Sequence, residues 1–179
     1  MFTIKTGDHT LLKILVPVDG PSNSLHAMRH VVKEFRKNPA LKIHLLNVQA
    51  PFSQYISRFV SRRDRHDFHR EQAERALLPG RQMLDRFGVP YEVLMELGEK
   101  AHLIADVARR LRCDHIVMST ARKNSLIRMV ENSTTNKVIE LTTVPVEIIA
   151  GDAASKVERY GISAGAGTAL ASLILAAAE

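Results

Sequence analysis

The sequence predicts an α/β protein built on a doubly wound, five-stranded parallel sheet, followed by a helical extension. Five short runs rich in Val, Ile and Leu alternate with stretches whose apolar residues recur at helical spacing. Most of these runs are continuously apolar, which is typical of strands buried on both faces of a parallel sheet. Alternating strands and helices imply βαβ units with right-handed crossovers, so we expect helices on both faces. A chain of 179 residues, 45% hydrophobic and 25% charged, suits one such domain with an appendage.

The first two strands and the helix between them have clear start and stop signals. The run from Leu11 to Val18 is predicted to be a buried strand that ends at Asp19-Gly20-Pro21. Serine and asparagine residues directly after this turn can cap a helix, and its apolar positions keep helical spacing up to Phe35. A second buried strand is predicted from Leu41 to Val48.

The remaining elements repeat the alternation. An irregular polar stretch leads into a helix from Asp64 to Phe87, in which Pro79-Gly80 is expected to cause a kink or a break. Gly88 is the expected C-terminal cap. The segment from Val89 to Leu97 alternates like a strand buried on one face, which suits the edge of the sheet. The pattern closes with a helix, a strand, a helix and a strand over residues 99–112, 115–119, 133–141 and 144–150.

Composition excludes several classes of protein. The single cysteine, Cys113, excludes an internal disulfide framework, fits a reducing compartment and is expected to act as a small hydrophobe. The N-terminus lacks the charged start and apolar core of a signal peptide, so we expect a cytoplasmic protein. Much of the net charge of +6 lies between Arg58 and Arg75, among acidic residues. Without a nucleic-acid motif this predicts a solvated helix face and no specific nucleic-acid partner.

Histidines and hydroxyl groups indicate neither a metal centre nor a catalytic one. Two pairs share predicted helices at close spacing, His26 with His30 and His66 with His69. Two histidines are too few for a structural zinc site, so we expect these four at the surface. The strand residues His44 and His115 are expected to be hydrogen-bonded structural residues. The absence of a Walker loop, hydrolase elbow or dinucleotide fingerprint favours a protein without enzymatic activity.

Three segments together resemble the universal stress protein family: ILVPVDGPSNSLHA, KIHLLNVQAP and the stretch from His115 to Ala150, which ends in VPVEIIA. The resemblance spans about Leu11 to Gly151. It implies the adenine nucleotide alpha hydrolase-like strand order 3-2-1-4-5, and often a homodimer formed by the last strands, here from Val144 to Ala150. On that order the topological switch lies between the first and fourth strands, so a ligand crevice is expected beside Asp19 and Ser119.

Many members of the family bind ATP in this crevice. By resemblance, Asp19 and the backbone at Val48 contact the nucleoside, while a G-x2-G-x9-G-[S/T] loop holds the phosphates. In this sequence the three glycine positions carry Ser119, Arg122 and Asn132, and the hydroxyl position carries Ser133. Asparagine tolerates left-handed backbone and serine still caps a helix, but Arg122 places a long side chain where backbone should face phosphate. The sequence therefore predicts a non-enzymatic stress-response module that homodimerises and lacks the standard ATP site.

Two alternatives stay open. Arg122 and Lys123 can supply charged donors to an anion, so one alternative is an ATP-binding member with an altered loop and slow hydrolysis. The other is an adaptor. The domain is expected to cover residues 1–151, and the extension over 152–179 contains an uncharged segment from Gly161 to Ala178. That segment is expected to pack on its own domain or across the dimer, whereas the adaptor hypothesis has it dock a membrane or a protein.

Overall fold

Five parallel strands form one sheet in the order 3-2-1-4-5, as predicted. The computed structural model describes residues 12–122 and 134–153. Its strands are β1 Lys13–Pro17, β2 Lys42–Gln49, β3 Tyr91–Leu97, β4 His115–Arg122 and β5 Val146–Ala153. Its helices are α1 Pro21–Lys37, α2 Gln54–Ser57, α3 Arg62–Arg86, α4 Lys100–Arg110 and α5 Thr134–Leu141. The order places β3 and β5 at the two edges and the topological switch between β1 and β4.

The sheet has a separate hydrophobic core on each face. One core joins β1 and β2 to α1 and α3, with fully buried residues such as Val16, Met28 and Leu84. The other core joins the opposite face to α4 and α5, with residues such as Leu46 and Val107. Because successive strand residues point to opposite faces, the continuously apolar runs fill both cores, and this is why the sequence pattern predicted a doubly wound sheet.

Of the kink or break predicted at Pro79-Gly80, the break is wrong, because α3 continues through both residues to Arg86. Proline removes one intrahelical hydrogen bond, but α3 buries a stripe of small and apolar residues against α1 and β2, which offsets that loss. The helix ends as predicted at Gly88, whose φ of 64° is left-handed. The N–H of Gly88 donates to Asp85 and the N–H of Val89 to Leu84, which is the Schellman pattern of helix ends.

Residues between Phe52 and Arg65 are more regular than predicted. Ser53 and Ser61 each cap a helix, because their hydroxyl groups accept hydrogen bonds from backbone N–H groups three residues later. The region therefore contains the single turn of α2 and the first turn of α3.

Within the described ranges, no helix is long and apolar enough to span a membrane. The expected helix of the C-terminal extension lies outside the described residues. The last strand continues to Ala153, two residues past the domain boundary placed at Gly151.

Candidate functional site

A small cavity lies at the carboxyl ends of β1 and β4, where the strand order places the topological switch. Asp19, Val48 and Ser119 all contribute to its lining, so the structure brings together three of the residues that the resemblance assigned to the site. Thr134 and Thr135, at the start of α5, line it from the far side. Its volume is only about 80 Å³, whereas small-molecule sites usually need roughly 300 Å³ or more.

A much larger groove of about 610 Å³ opens beside this cavity, over the carboxyl ends of β1 and β2 and against α3. It shares Asp19, Val48 and Lys100 with the small cavity, so the two lie side by side, and we refer to them together as the crevice. The groove has the size of a nucleoside site, and the small cavity lies on the side of the phosphate loop.

Buried hydrogen bonds hold the floor of the groove in place. Asn47 is 3% exposed, and its side-chain amide donates to the Val18 carbonyl over 2.7 Å, which joins β2 to β1. Gln49 donates from Nε2 to Asn47 Oδ1 at 2.9 Å and to the His69 carbonyl at 2.8 Å. His69 Nδ1 lies 2.8 Å from Gln49 Oε1; because that carbonyl oxygen only accepts, Nδ1 carries the proton. Strands β1 and β2 and helix α3 are thus joined by polar side chains.

The expectation that His69 lies at the surface is wrong, since the residue is 5% exposed. Its position was recoverable from spacing: His69, Ala73, Leu77 and Leu84 form the inward stripe of α3. The many charged residues nearby led to the prediction of a solvent-exposed helix face instead. His66 is exposed, as expected.

Aromatic rings line the groove next to His69. Phe52 contacts both Phe68 and His69, with ring centroids 5.2 Å and 4.9 Å apart. All three residues line the groove, and Phe68 is 44% exposed. Such rings favour a flat aromatic ligand, because their faces can stack on it. No sequence motif singled these residues out.

One lysine faces the crevice from α4. Lys100 is the first residue of that helix, and its Nζ lies 4.0 Å from Asp19 Oδ2. Because it lines both the groove and the small cavity, Lys100 puts a positive charge where they meet. Arg75 also lines the groove, but it is paired with Glu71 at 2.5 Å. Neither cation was identified from the sequence.

The phosphate side of the crevice differs from the prediction, since β4 continues three residues past Ser119 to Arg122. Ser119 pairs with Ile149 and Arg122 with Ala153, with an irregularity in register between Thr120 and Arg122. Glycine normally ends a strand in such a loop, and without it the backbone stays extended along β5. Two of the three glycine positions therefore lie in a strand. The side chain of Arg122, together with Asn132 and Ser133, lies outside the described residues.

His44 differs from the expectation of a hydrogen-bonded histidine. It is 2% exposed, and within the described residues neither ring nitrogen has a hydrogen-bond partner. Nδ1 lies 3.2 Å from Glu92 Oε2, without hydrogen-bond geometry. Burial lowers the pKa of His44 despite the nearby Glu92 carboxylate.

His26, His30, His115 and Cys113 are not among the residues that line the crevice. His115 is exposed. His26 and His30, which were expected at the surface, are half-buried, and His30 Nε2 lies 3.1 Å from Glu147 Oε1. Burial raises the pKa of the Cys113 thiol to about 11, which keeps it protonated and unreactive. Among the residues that the structure describes, no group of three or more His, Cys, Asp or Glu could hold a metal ion.

Comparison with known proteins agrees with the fold. A profile described as the universal stress protein family matches residues 11–150. Universal stress protein MJ0531 of Methanocaldococcus jannaschii is 28% identical over 153 residues, covering 82% of this chain and 86% of that protein.

Solved structures share the fold at lower identity. The universal stress protein UspA from Lactobacillus plantarum has a TM-score of 0.61 at 22% identity, covering 78% of this chain and 97% of that one. An Arabidopsis thaliana family member with AMP bound has a TM-score of 0.58 at 19% identity, covering 79% and 93%. The Archaeoglobus fulgidus protein in complex with dAMP has a TM-score of 0.57 at 20% identity, covering 77% and 97%. Since the profile matches most of the chain and the strand order is that of these structures, the protein belongs to the universal stress protein family.

Proposed function

We propose that this protein is a non-enzymatic universal stress protein that binds an adenine nucleoside or nucleoside monophosphate, rather than ATP, and acts in the stress response as a homodimer. The observation that carries the proposal is the contrast within the crevice. A groove of about 610 Å³ is built at Asp19 and Val48, while the chain at Ser119 and Arg122 is paired as a strand instead of forming a phosphate loop.

The groove can recognise each part of such a ligand. The base fits against Phe52 and Phe68, which offer aromatic faces at the groove wall. The Asp19 carboxylate is 64% exposed and can accept hydrogen bonds from ribose hydroxyl groups. The ammonium group of Lys100 can pair with a single phosphate. A triphosphate also needs the backbone N–H groups of a loop in which glycine lets the chain approach the phosphates closely. The AMP and dAMP complexes of the solved relatives support a monophosphate ligand.

The edge position of β5 supports the homodimer. Nothing within the described chain pairs with its outer side, and Ile148 is 45% exposed there. An unpaired edge strand with exposed apolar residues favours pairing with a second copy. We place the protein in the cytoplasm because its single cysteine suits a reducing compartment.

Calorimetric titration of the full chain with adenosine, AMP and ATP tests the proposal. We expect AMP to bind, and ATP to bind no more tightly than AMP. Asp19→Asn should weaken AMP binding about tenfold, because a charge-assisted hydrogen bond becomes a neutral one. Asp106→Asn removes an equally exposed carboxylate on α4, away from the groove lining, and should leave binding unchanged. ATP binding more than tenfold tighter than AMP binding would overturn the proposal.

An ATP-binding member with slow hydrolysis is the second candidate, and Lys100 is the observation that favours it. Its ammonium group borders the small cavity, where a longer phosphate chain would extend. In that case Lys100→Gln would weaken ATP binding more than AMP binding, and Arg122→Gly would not improve ATP binding. Under the leading proposal, Arg122→Gly increases the affinity for ATP relative to AMP.

A further inference from the structure

A cluster of aromatic and aliphatic side chains projects into solvent between β2 and α3. Tyr55 is 72% exposed, Phe59 75% and Ile56 45%. The rings of Tyr55 and Phe59 contact each other edge to face, with centroids 5.3 Å apart. No residue of α2 is buried, so this turn contributes nothing to the core. Such exposure of large apolar groups marks a contact surface, because it costs free energy in water.

The same segment carries only positive charge. Between Phe52 and Arg63 the sequence has three arginines, Arg58, Arg62 and Arg63, and no acidic residue. All three are exposed. The Arg63 side chain is 90% exposed, and Asp67 lies 3.9 Å from its Nε. We refer to Tyr55, Ile56 and Phe59 with these three arginines as the aromatic-arginine surface.

We propose that the aromatic-arginine surface docks the protein on membranes that contain anionic phospholipid. Tyrosine and phenylalanine insert at the boundary between headgroups and acyl chains, while guanidinium groups pair with lipid phosphates. The surface therefore offers rings to the acyl-chain side of that boundary and arginines to its phosphate side. This contact is peripheral and separate from the uncharged segment between Gly161 and Ala178.

The size and charge of the surface favour a lipid over a protein partner. Three large apolar side chains are far too few for a stable protein interface, which buries about 800 Å² on each partner. A fluid lipid surface needs no matching pocket for a protruding ring. A second copy of this chain is disfavoured, because two such surfaces would bring six arginines together.

A tryptophan reporter tests the contact directly, because the chain contains no tryptophan of its own. Phe59→Trp should shift its emission to the blue, and be quenched by brominated acyl chains, on vesicles with about one-third phosphatidylserine. Vesicles of phosphatidylcholine alone should produce neither effect. Phe87→Trp is the matched control, since Phe87 is also an exposed aromatic beside an arginine, Arg36. It follows the far end of α3, which is about 37 Å long, and should not respond.

Co-sedimentation of the full chain with the same vesicles measures the energetic contribution of each part. Tyr55→Ser with Phe59→Ser should weaken binding at least tenfold, because the inserting apolar area is lost. Converting the three arginines of the surface to glutamine should weaken vesicle binding about fivefold per arginine. Added salt should also weaken binding of the unaltered protein, because it screens the attraction between arginine and lipid phosphate. The charge-matched control converts Arg109, Arg110 and Arg112 to glutamine and should weaken binding much less.

Several outcomes would overturn this proposal. They are equal binding to both kinds of vesicle, no response of the Phe59→Trp reporter, or binding unchanged by the serine and glutamine variants. Binding that depends only on the segment after Gly161 would also overturn it, as would no binding to the anionic vesicles. A blue shift of Phe59→Trp that appears without lipid as concentration rises would indicate self-association instead.

Discussion

The two sides of the crevice differ in their use of glycine. The side built from β1, β2 and β3 has Gly20, Gly88 and Gly98 at its turns, whereas no glycine occurs between Gly98 and Gly151, which covers α4, β4, α5 and most of β5. On the first side, α3 is followed by Gly88 in a left-handed conformation. On the second side, α4 ends with the same Schellman hydrogen bonds, but the left-handed residue is Arg112, with a φ of 53°.

This difference changes how the altered phosphate loop is understood. The three substitutions belong to a whole region without glycine and are not an isolated loss. The described strands and helices of this region form without glycine, because such elements need little of it. The other side keeps its turns and its groove.

The largest expected effect concerns the floor of the groove. Asn47→Ala should lower the free energy of unfolding by about 3 kcal/mol. It removes buried hydrogen bonds, takes away the side-chain donor to the Val18 carbonyl and creates a cavity. Gln49→Ala should cost only about 1 kcal/mol, because Gln49 itself is only half-buried. Urea unfolding measures both. Equal losses of unfolding free energy in the two variants would show that the buried amide of Asn47 does not hold the floor of the groove.

Restoring glycine on the other side is the second test. Replacing Ser119, Arg122 and Asn132 with glycine should raise the affinity for ATP relative to AMP at least tenfold, about 1.4 kcal/mol, because the backbone regains left-handed conformations. Hydrogen exchange should show that the end of β4 loses protection at the same time.

The matched control replaces the same three residues with alanine. It removes the same side chains without adding backbone freedom, and it should leave the preference between ATP and AMP unchanged. A gain of ATP binding in the alanine variant would mean that Arg122 obstructs the crevice sterically and that glycine is not required.

On the first side, His44 in β2 should make stability depend on pH near neutrality. Burial lowers the pKa of His44, while Glu92 opposes this change and Lys42 and Lys13 add to it. The folded state therefore binds protons less readily than the unfolded state. Stability is fully present above the ordinary pKa of about 6.5 and declines as the pH falls from there toward the lower pKa of folded His44. As the pH is lowered, hydrogen exchange should show that β2 and β3 lose protection at a higher pH than β5 does.

His44→Leu is the companion variant. It should abolish this slope and raise stability at neutral pH by about 1 kcal/mol, since two buried ring nitrogens lack partners. An unchanged slope would assign the pH dependence to another group.

The smallest effect concerns the two helix ends. Arg112→Gly should stabilise the protein by about 0.5–1 kcal/mol, because glycine adopts the left-handed conformation without strain. Gly88→Ala should destabilise it by about 1 kcal/mol for the same reason. Thermal unfolding of the pair measures both signs. If Arg112→Gly were neutral, contacts of the arginine side chain would have to offset its backbone strain.

Local patterns were sufficient to predict most of the fold. The apolar runs of β1 and β2, the alternation of β3 and the glycine after α3 each carry their signal within a few residues. The positions of Asp19 and Val48 then follow from where their strands end. The length of β4 could not be predicted in this way, because it depends on pairing with β5 across a long stretch of chain.

Side chains of the site were harder to predict than its backbone. His69 lies among arginines and acidic residues, so composition indicated a surface position although its helical spacing points inward. Lys100 reaches the crevice only because α4 begins beside the end of β1, which is a property of the whole fold. His44 is an exception of another kind, since the expectation that buried polar groups are satisfied holds for most residues but not for this one.

The extension of β4 also bears on assembly. Its last residues hold the end of β5 in the sheet as far as Ala153, so the outer edge of β5 is eight residues long. When two such edges pair about a twofold axis, every residue added to one strand is added to its symmetry mate, and the shared ladder grows at both ends. In the proposed homodimer, the residues that follow Ser119 in β4 would lengthen the seam between the two subunits.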